Sequence, residues 1–358
     1  MRNPFTGFDS PGYRFRLNCR PLSHFPLYLP LAMKSDPLVI RLRNGESPLS
    51  VFSVSNIRDA RQAFHTLREK YDFTFWAARQ FFVKDINDPD TLVPLILNNR
   101  IDLVISIMEE RYFDKKMGRY VITKSGGPCG LTTALQAYVL WRILYSPYKG
   151  TAHICGASKF NTHHLKANLA RFLHLPSIPS SNRIYFPYDL ATQFLPTQDS
   201  YVQGQQPAFR VSSPSLWEGA GGRLQGAGGR PSSFIFTSVK NPDATRGIDL
   251  NYAIFSDISK WHDHQRINSN RAAACSLGSV LLDYNTLFIY EGNLPNDFPK
   301  YSADTNDYDI DSKNYHQNLQ KYYDKHVKDA RSPAPIHIEE ALYSLLHPDN
   351  PPFRHISI

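Results

Sequence analysis

Arg119-Tyr120-Val121-Ile122-Thr123-Lys124-Ser125-Gly126-Gly127-Pro128-Cys129-Gly130-Leu131-Thr132-Thr133 is the stretch on which the fold turns. A β-rich apolar run stops abruptly, a turn rich in glycine follows, and residues 133–145 then read as a helix. A nucleotide loop needs that order: a strand that ends, main-chain amides turned towards phosphates, and a helix whose first turn adds its dipole. Ser125, Gly126, Gly127, Gly130, Leu131 and Thr132 are therefore the candidate phosphate-binding residues. Thr132 falls where a hydroxyl would ligand magnesium, and Gly130 where the main chain must approach closely. Leu131 stands where the common pattern has lysine, so the loop by itself is equally a plain strand, turn and helix. Lys124 is the one lysine near enough in sequence to take over that charge, and as a strand-end residue it can also be a surface charge.

Outward from this loop, short β-rich runs alternate with helical ones. Strands are predicted at 119–123, 151–157, 232–239, 252–256 and 286–290, with a second helix that Ser158 can cap ahead of Leu165, Leu169 and Phe172. The pattern predicts an α/β fold, a P-loop NTPase-like, mostly parallel sheet flanked by helices. A nucleotide site also needs an acid at the end of a neighbouring apolar strand, to orient water and support the metal. Tyr252-Ala253-Ile254-Phe255-Ser256-Asp257 offers Asp257, although a lone Asp after a strand also serves as a turn former or helix cap. The tips of the first and fourth strands are expected side by side, bringing Gly130 next to Asp257.

The flanks are less regular. Residues 1–55 are rich in proline and read as an irregular arm; 57–70 has Ala60, Ala63, Phe64 and Leu67 spaced for one helical face; Phe73, Phe75 and Trp76 form an aromatic cluster suited to a core. Residues 176–231 carry Gly-Ala-Gly-Gly-Arg twice and read as a long mobile insertion. Asp304, Asp307, Asp309 and Asp311 read as a solvated acidic loop. Lys and Arg exceed Asp and Glu by 8, an imbalance that suits anionic partners such as DNA without demonstrating one. Cys19, Cys129, Cys155 and Cys275 are scattered, with no C-x-x-C pair, so neither a zinc site nor a disulfide framework is indicated. No export signal or membrane span is expected, since 25–33 is short and broken by prolines.

Asn241-Pro242-Asp243-Ala244-Thr245-Arg246-Gly247, followed by Ser256-Asp257 and Trp261 and set among ordered blocks over 75–293, resembles the ATPase motor of the large terminases of tailed phages, and especially a branch associated with Bacteroidetes phages. Phe75-Trp76-Ala77-Ala78, Val83-Lys84-Asp85 and Leu97-Asn98-Asn99-Arg100 are similar to the entry of that motor, and 124–136 to its Lys-Ala-Arg-Gln-Trp-Gly-Gly-Ser-Thr loop. Thr151-Ala152-His153-Ile154-Cys155-Gly156 resembles its second strand. Asn241-Pro242-Asp243-Ala244-Thr245-Arg246-Gly247 is the most specific match: the family reads Asn-Pro-Asp-x-x-Arg-Gly, then a strand ending His-Leu-Ser-Glu, then Trp, here Ile254-Phe255-Ser256-Asp257 and Trp261. Thr286-Leu287-Phe288-Ile289-Tyr290-Glu291-Gly292-Asn293 resembles the coupling strand that in the family ends Glu-Ser-Thr.

The resemblance implies ATP and Mg2+ as cofactors, with Thr132 and Asp257 at the metal, Asp257 orienting the attacking water, Lys124 near the phosphates and Glu291 with Asn293 coupling the site to DNA movement. Arg246 would sense the nucleotide or act in trans within a ring. It implies double-stranded DNA, a portal protein and a small terminase subunit as partners, a ring on the portal, and work in the host cytoplasm. Several positions depart from the family: Gly126 and Gly127 replace Arg and Gln, Ile101 the adenine-reading Gln, Asp257 the catalytic Glu, and Gly292-Asn293 the Ser-Thr. Residues 56–300 would form the ATPase domain and 301–358 a tail too short for the family's nuclease domain. A packaging ATPase thus stands beside a non-hydrolysing, terminase-like subunit that binds DNA or portal. A thiol site at Cys129, or a metal held by His262, Asp263 and His264, are further readings of the residues.

Overall fold

The computed structural model describes residues 8–9, 28–29, 33, 35–85, 88, 90–113, 118–125, 129–145, 151–156, 159–172, 209–211, 232–238, 251–260, 287–328, 336–349 and 353–358. The chain divides into two compact units, one of Met1–Lys116, Thr133–Tyr148 and Asn168–Ala191, the other of Met117–Thr132, Lys149–Ala167 and Thr192–Ile358.

The first unit opens with two short strands, β1 (Phe8–Asp9) and β2 (Tyr28–Leu29), paired in parallel. Helices α1 (Pro37–Arg43), α2 (Pro48–Val51), α3 (Ile57–Tyr71) and α4 (Phe73–Gln80) follow. Asp36 caps α1 by accepting from Leu38 N at 2.9 Å, with Pro37 in the first helical position, and Asn56 caps α3 through Asp59 N at 2.9 Å. Val39, Leu42, Val51, Ala60, Phe64 and Leu67 bury one another, so the segment expected as an arm contributes two helices to a core. Beyond β3 (Phe82–Lys84), its antiparallel partner β4 (Leu92–Pro94) and α5 (Asn99–Phe113) comes α6 (Leu131–Tyr145), most of which belongs to this unit. Tyr138 and Trp141 pack on Phe73 at centroid distances of 5.1 and 5.7 Å, and Trp141 Nε1 donates to Glu69 O at 2.7 Å. Phe73, Phe75 and Trp76 are buried as the sequence predicts.

The second unit is built on a seven-stranded sheet. In chain order the strands are β5 (Gly118–Lys124), β6 (Thr151–Gly156), β7 (Phe209–Val211), β8 (Ser232–Ser238), β9 (Tyr252–Phe255), β10 (Leu287–Asn293) and β11 (Arg354–Ser357). In space they run β11-β5-β10-β9-β6-β8-β7, all parallel except for the β7–β8 pair. Tyr120, Val121 and Ile122 of β5, Tyr252 to Phe255 of β9, and Leu287 to Tyr290 of β10 are buried, as continuous apolar runs are in parallel sheets covered on both faces. Helix α7 (Lys159–Phe172) follows β6, and α8 (Tyr308–Tyr323) packs on α9 (Ile336–Leu346) through Leu319, Tyr322, Ile338 and Leu342. Helix α9 lies against β5, β10 and β11. The fold is of the predicted α/β class, a mostly parallel sheet flanked by helices.

Three further expectations change. The first and fourth predicted strands, β5 and β9, are not neighbours: β10 lies between them, pairing Leu287 to Asn293 with Gly118 to Lys124 on one side and Leu287 to Tyr290 with Tyr252 to Phe255 on the other. Its apolar run is buried on both faces and so takes a central place. The strand expected to end at 290 continues to Asn293, because the ladder with β5 runs on to Lys124. The acidic run does not form a loop throughout: Asp307 caps α8, accepting from Asp309 N and Ile310 N, and Asp309 and Asp311 lie in its first turn, where carboxylates complement the helix dipole.

Candidate functional site

At the C-terminal tips of β5, β10 and β9 four predicted residues meet. Glu291, completely buried on β10, is the centre. Its Oε1 accepts from the ammonium of Lys124, at the end of β5. Its Oε2 accepts from Thr132 Oγ1 at 3.0 Å, from Ser256 Oγ at 2.9 Å and, at 3.4 Å, from the main-chain N–H of Asp257. Lys124 Nζ also lies 3.5 Å from Asp257 Oδ1, and Asn161, in the first turn of α7, donates to Asp257 Oδ2 at 3.3 Å. Each oxygen of both carboxylates has a donor, as buried charge requires.

The local sequence explains the arrangement. Lys124 and Asn293 are register partners, so Glu291 lies two residues from the end of β10, close to the tip of β5. Gly130, at φ +80°, turns the chain into α6, a conformation that an L side chain resists, and Thr132 stands in that helix's first turn. Asp257 also has a left-handed backbone, φ +53°, which Asp tolerates better than most residues. There the chain leaves β9 for the short 3-10 turn Ile258–Lys260, anchored by buried Ile258. Burial pulls the Lys124 ammonium down, but the charge and hydrogen bond of Glu291, helped by Asp257, outweigh it and hold its pKa above the ordinary lysine value. Lys124 is thus charged, and its charge is spent on two carboxylates.

Of the other predicted site residues, Ser125 is exposed, its N–H donating to Ile358 O at 2.9 Å. Leu131 turns its side chain into the core, so its main chain alone can serve a ligand. Gly126, Gly127 and Arg246 lie outside the described residues, as do the rest of 241–247, Trp261 and the His262-Asp263-His264 group. Ser256 and Asn161 were not singled out from the sequence. Ser256 directly precedes the acid, which is a usable signal, whereas nothing local marks Asn161.

The gathered groups are two hydroxyls, two carboxylates, an amide and an ammonium beside the start of a helix. Hydroxyl and carboxylate oxygens are hard donors of the kind magnesium takes, usually alongside water and phosphate oxygens. The donor set therefore fits the implied Mg2+ and nucleotide through Thr132 and Asp257, while the oxygens of buried Glu291 are taken up by Lys124, Thr132, Ser256 and the Asp257 N–H. Among the described residues no group of three or more His, Cys, Asp or Glu side chains gathers, and no helix is long and apolar enough to cross a membrane.

No protein-family model matches the sequence, and comparison with curated proteins finds no match. Among solved structures, the chain is similar to the ATPase domain of the large terminase of Thermus phage P74-26, at 10% identity and a TM-score of 0.33, over 69% of this chain and 79% of that one. A likeness that slight says nothing of activity, and the functional reading rests on the site and the sequence motifs.

Proposed function

We propose that this chain is a terminase-like ATPase that couples ATP hydrolysis to the movement of double-stranded DNA into a phage capsid. The observation that carries the reading is the convergence of Lys124, Thr132, Asp257 and Glu291, far apart in sequence, on one buried carboxylate at three parallel strand tips. Ligands of α/β sheets bind outside the carboxyl ends of the strands, and this cluster lies there. The packaging role itself comes from the sequence resemblance over 75–293.

Bound magnesium and ATP would supply an electrophilic phosphoryl group and the metal's charge, with Thr132 and Asp257 holding the metal and the main chain of Gly126, Gly127, Gly130 and Leu131 around the phosphates. Asp257, the more exposed of the two acids, orients the attacking water and takes its proton. Glu291 holds Lys124 and Thr132 in register across β5 and α6, and with Asn293 couples the site to DNA movement. Lys124 serves the phosphates when it exchanges a carboxylate partner for them. Arg246 senses the nucleotide or reaches a neighbouring subunit in a ring on the portal, with a small terminase subunit as a further partner and the host cytoplasm as the place of action.

A second reading, a non-hydrolysing subunit that binds DNA or portal, is favoured by one observation: the charge of Lys124 is already taken up by two carboxylates. Hydrolysis assays separate the two. The ATPase reading expects magnesium-dependent turnover stimulated by duplex DNA, lowered about 100-fold or more in Asp257→Asn, because an amide keeps the carboxylate's shape but cannot take a proton. Lys124→Ala lowers it as well. No ATP binding by calorimetry, with both variants behaving as wild type, selects the non-hydrolysing subunit.

A further inference from the structure

Gly292 follows Glu291 on β10 and is the register partner of Thr123. A Cβ at this position would lie 2.6 Å from Nε2 and 2.7 Å from Cδ2 of His337, closer than real Cβ contacts come, so glycine is what leaves room for that imidazole. His337 stands in the first turn of α9 and is completely buried. Its Nε2 lies 3.0 Å from the main-chain oxygen of Asn293. A carbonyl only accepts, so the proton is on Nε2 and Nδ1 carries a lone pair. That Nδ1 is buried with no hydrogen-bond partner among the described residues.

A buried imidazole with one nitrogen unmet costs stability that an apolar side chain of like size would avoid. The return is specific: His337 takes hold of the last carbonyl of β10. The adjoining ladder bond, Leu294 N to Lys124 O at 3.1 Å, ties the same strand end to β5. Lys124 and Glu291, whose side chains meet in the site, both lie within two residues of these anchors.

We propose that His337 is a positioning residue for the site: by filling the space over Gly292 and holding the Asn293 carbonyl, it sets the end of β10 so that Glu291 meets Lys124 and Thr132. Its catalytic consequence rests on the ATPase reading; its structural consequence does not.

Two variants of the full chain separate hydrogen bonding from packing. His337→Gln can still donate from its Nε2, whereas His337→Leu fills space without a donor. Hydrogen exchange followed by mass spectrometry is expected to show residues 291–294 exchanging about 10-fold faster in His337→Leu, with β5 and β9 unchanged and His337→Gln close to wild type. In the ATPase assay His337→Leu lowers kcat about 10-fold at unchanged KM, and His337→Gln retains it. Should His337→Leu not fold, His337→Ala is read in the same way. Gly292→Ala is expected to lower Tm in the wild-type background and to be tolerated with His337→Ala. Wild-type exchange at 291–294 in His337→Leu, faster exchange spread evenly over β5, β9 and β10, or additive effects of Gly292→Ala and His337→Ala would overturn the proposal. A wild-type chain that does not hydrolyse ATP sinks the ATPase reading alone, and the exchange and Tm arms still decide the role of His337.

Discussion

Glu291 has no exposure, and Lys124, Thr132, Ser256 and the Asp257 N–H all donate to it, which meets the hydrogen-bonding needs of a buried acid. The two acids of the site therefore differ in what they hold up. Removing the charge of Glu291 leaves Lys124, itself largely buried, with Asp257 at 3.5 Å as its remaining carboxylate. Glu291→Gln is accordingly expected to lower unfolding stability by on the order of 3 kcal/mol in urea titration. Asp257→Asn keeps the Lys124–Glu291 pair and is expected to cost no more than about 1 kcal/mol. Equal losses in the two variants would mean that Glu291 is not the hub.

The junction of α3 and α4 shows how one residue serves two elements. Asp72 is fully buried; its Oδ2 accepts from Arg68 Nε at 2.9 Å near the end of α3, and its Oδ1 accepts from Phe75 N at 3.0 Å to cap α4. Asp72→Ala removes the cap and a buried carboxylate partner of Arg68, and should destabilise the protein by about 3 kcal/mol. Asp72→Asn keeps a capping oxygen and should lose less, with thermal unfolding as the check on the order. The sheet has a comparable junction: β11 pairs with β5, and His355 Nε2 lies 2.7 Å from Thr123 Oγ1, so residues 353–358 line the strand that ends in Lys124.

Across the molecule, buried histidines contribute to the response to acid. Burial lowers His153 to about 3 and lowers His337 and His355 to about 4, each from an ordinary value of 6.5. The unfolded chain thus binds protons that the folded one refuses, and stability that is full above about pH 6.5 declines as pH falls towards 4. Urea titrations at pH 7, 6, 5 and 4 should show the decline, reduced in His337→Gln; a flat profile would contradict neutral burial. The net charge of +8 and the proposed role also predict duplex DNA binding that tolerates sequence and weakens steeply with salt. A retardation assay at low ionic strength with no shifted band would count against it.

The apolar runs at Tyr120 to Ile122, Tyr252 to Phe255 and Leu287 to Tyr290, with helical spacing between, determined a parallel α/β sheet by themselves, because period and burial are local properties of a chain. Lys124, Thr132 and Asp257 could be marked as candidates for the same reason, since each stands at a strand end or a helix start, whereas Glu291 is marked only by the resemblance of its strand to the terminase coupling strand. Strand order could not be read this way. That β10 lies between β5 and β9 is a pairing among segments distant in sequence, which no local pattern records. Only that order makes Glu291 the centre of the cluster, brings Asn161 to Asp257, and sets His337 over Gly292, since hydrogen bonds across a folded core depend on neighbours in space rather than in sequence.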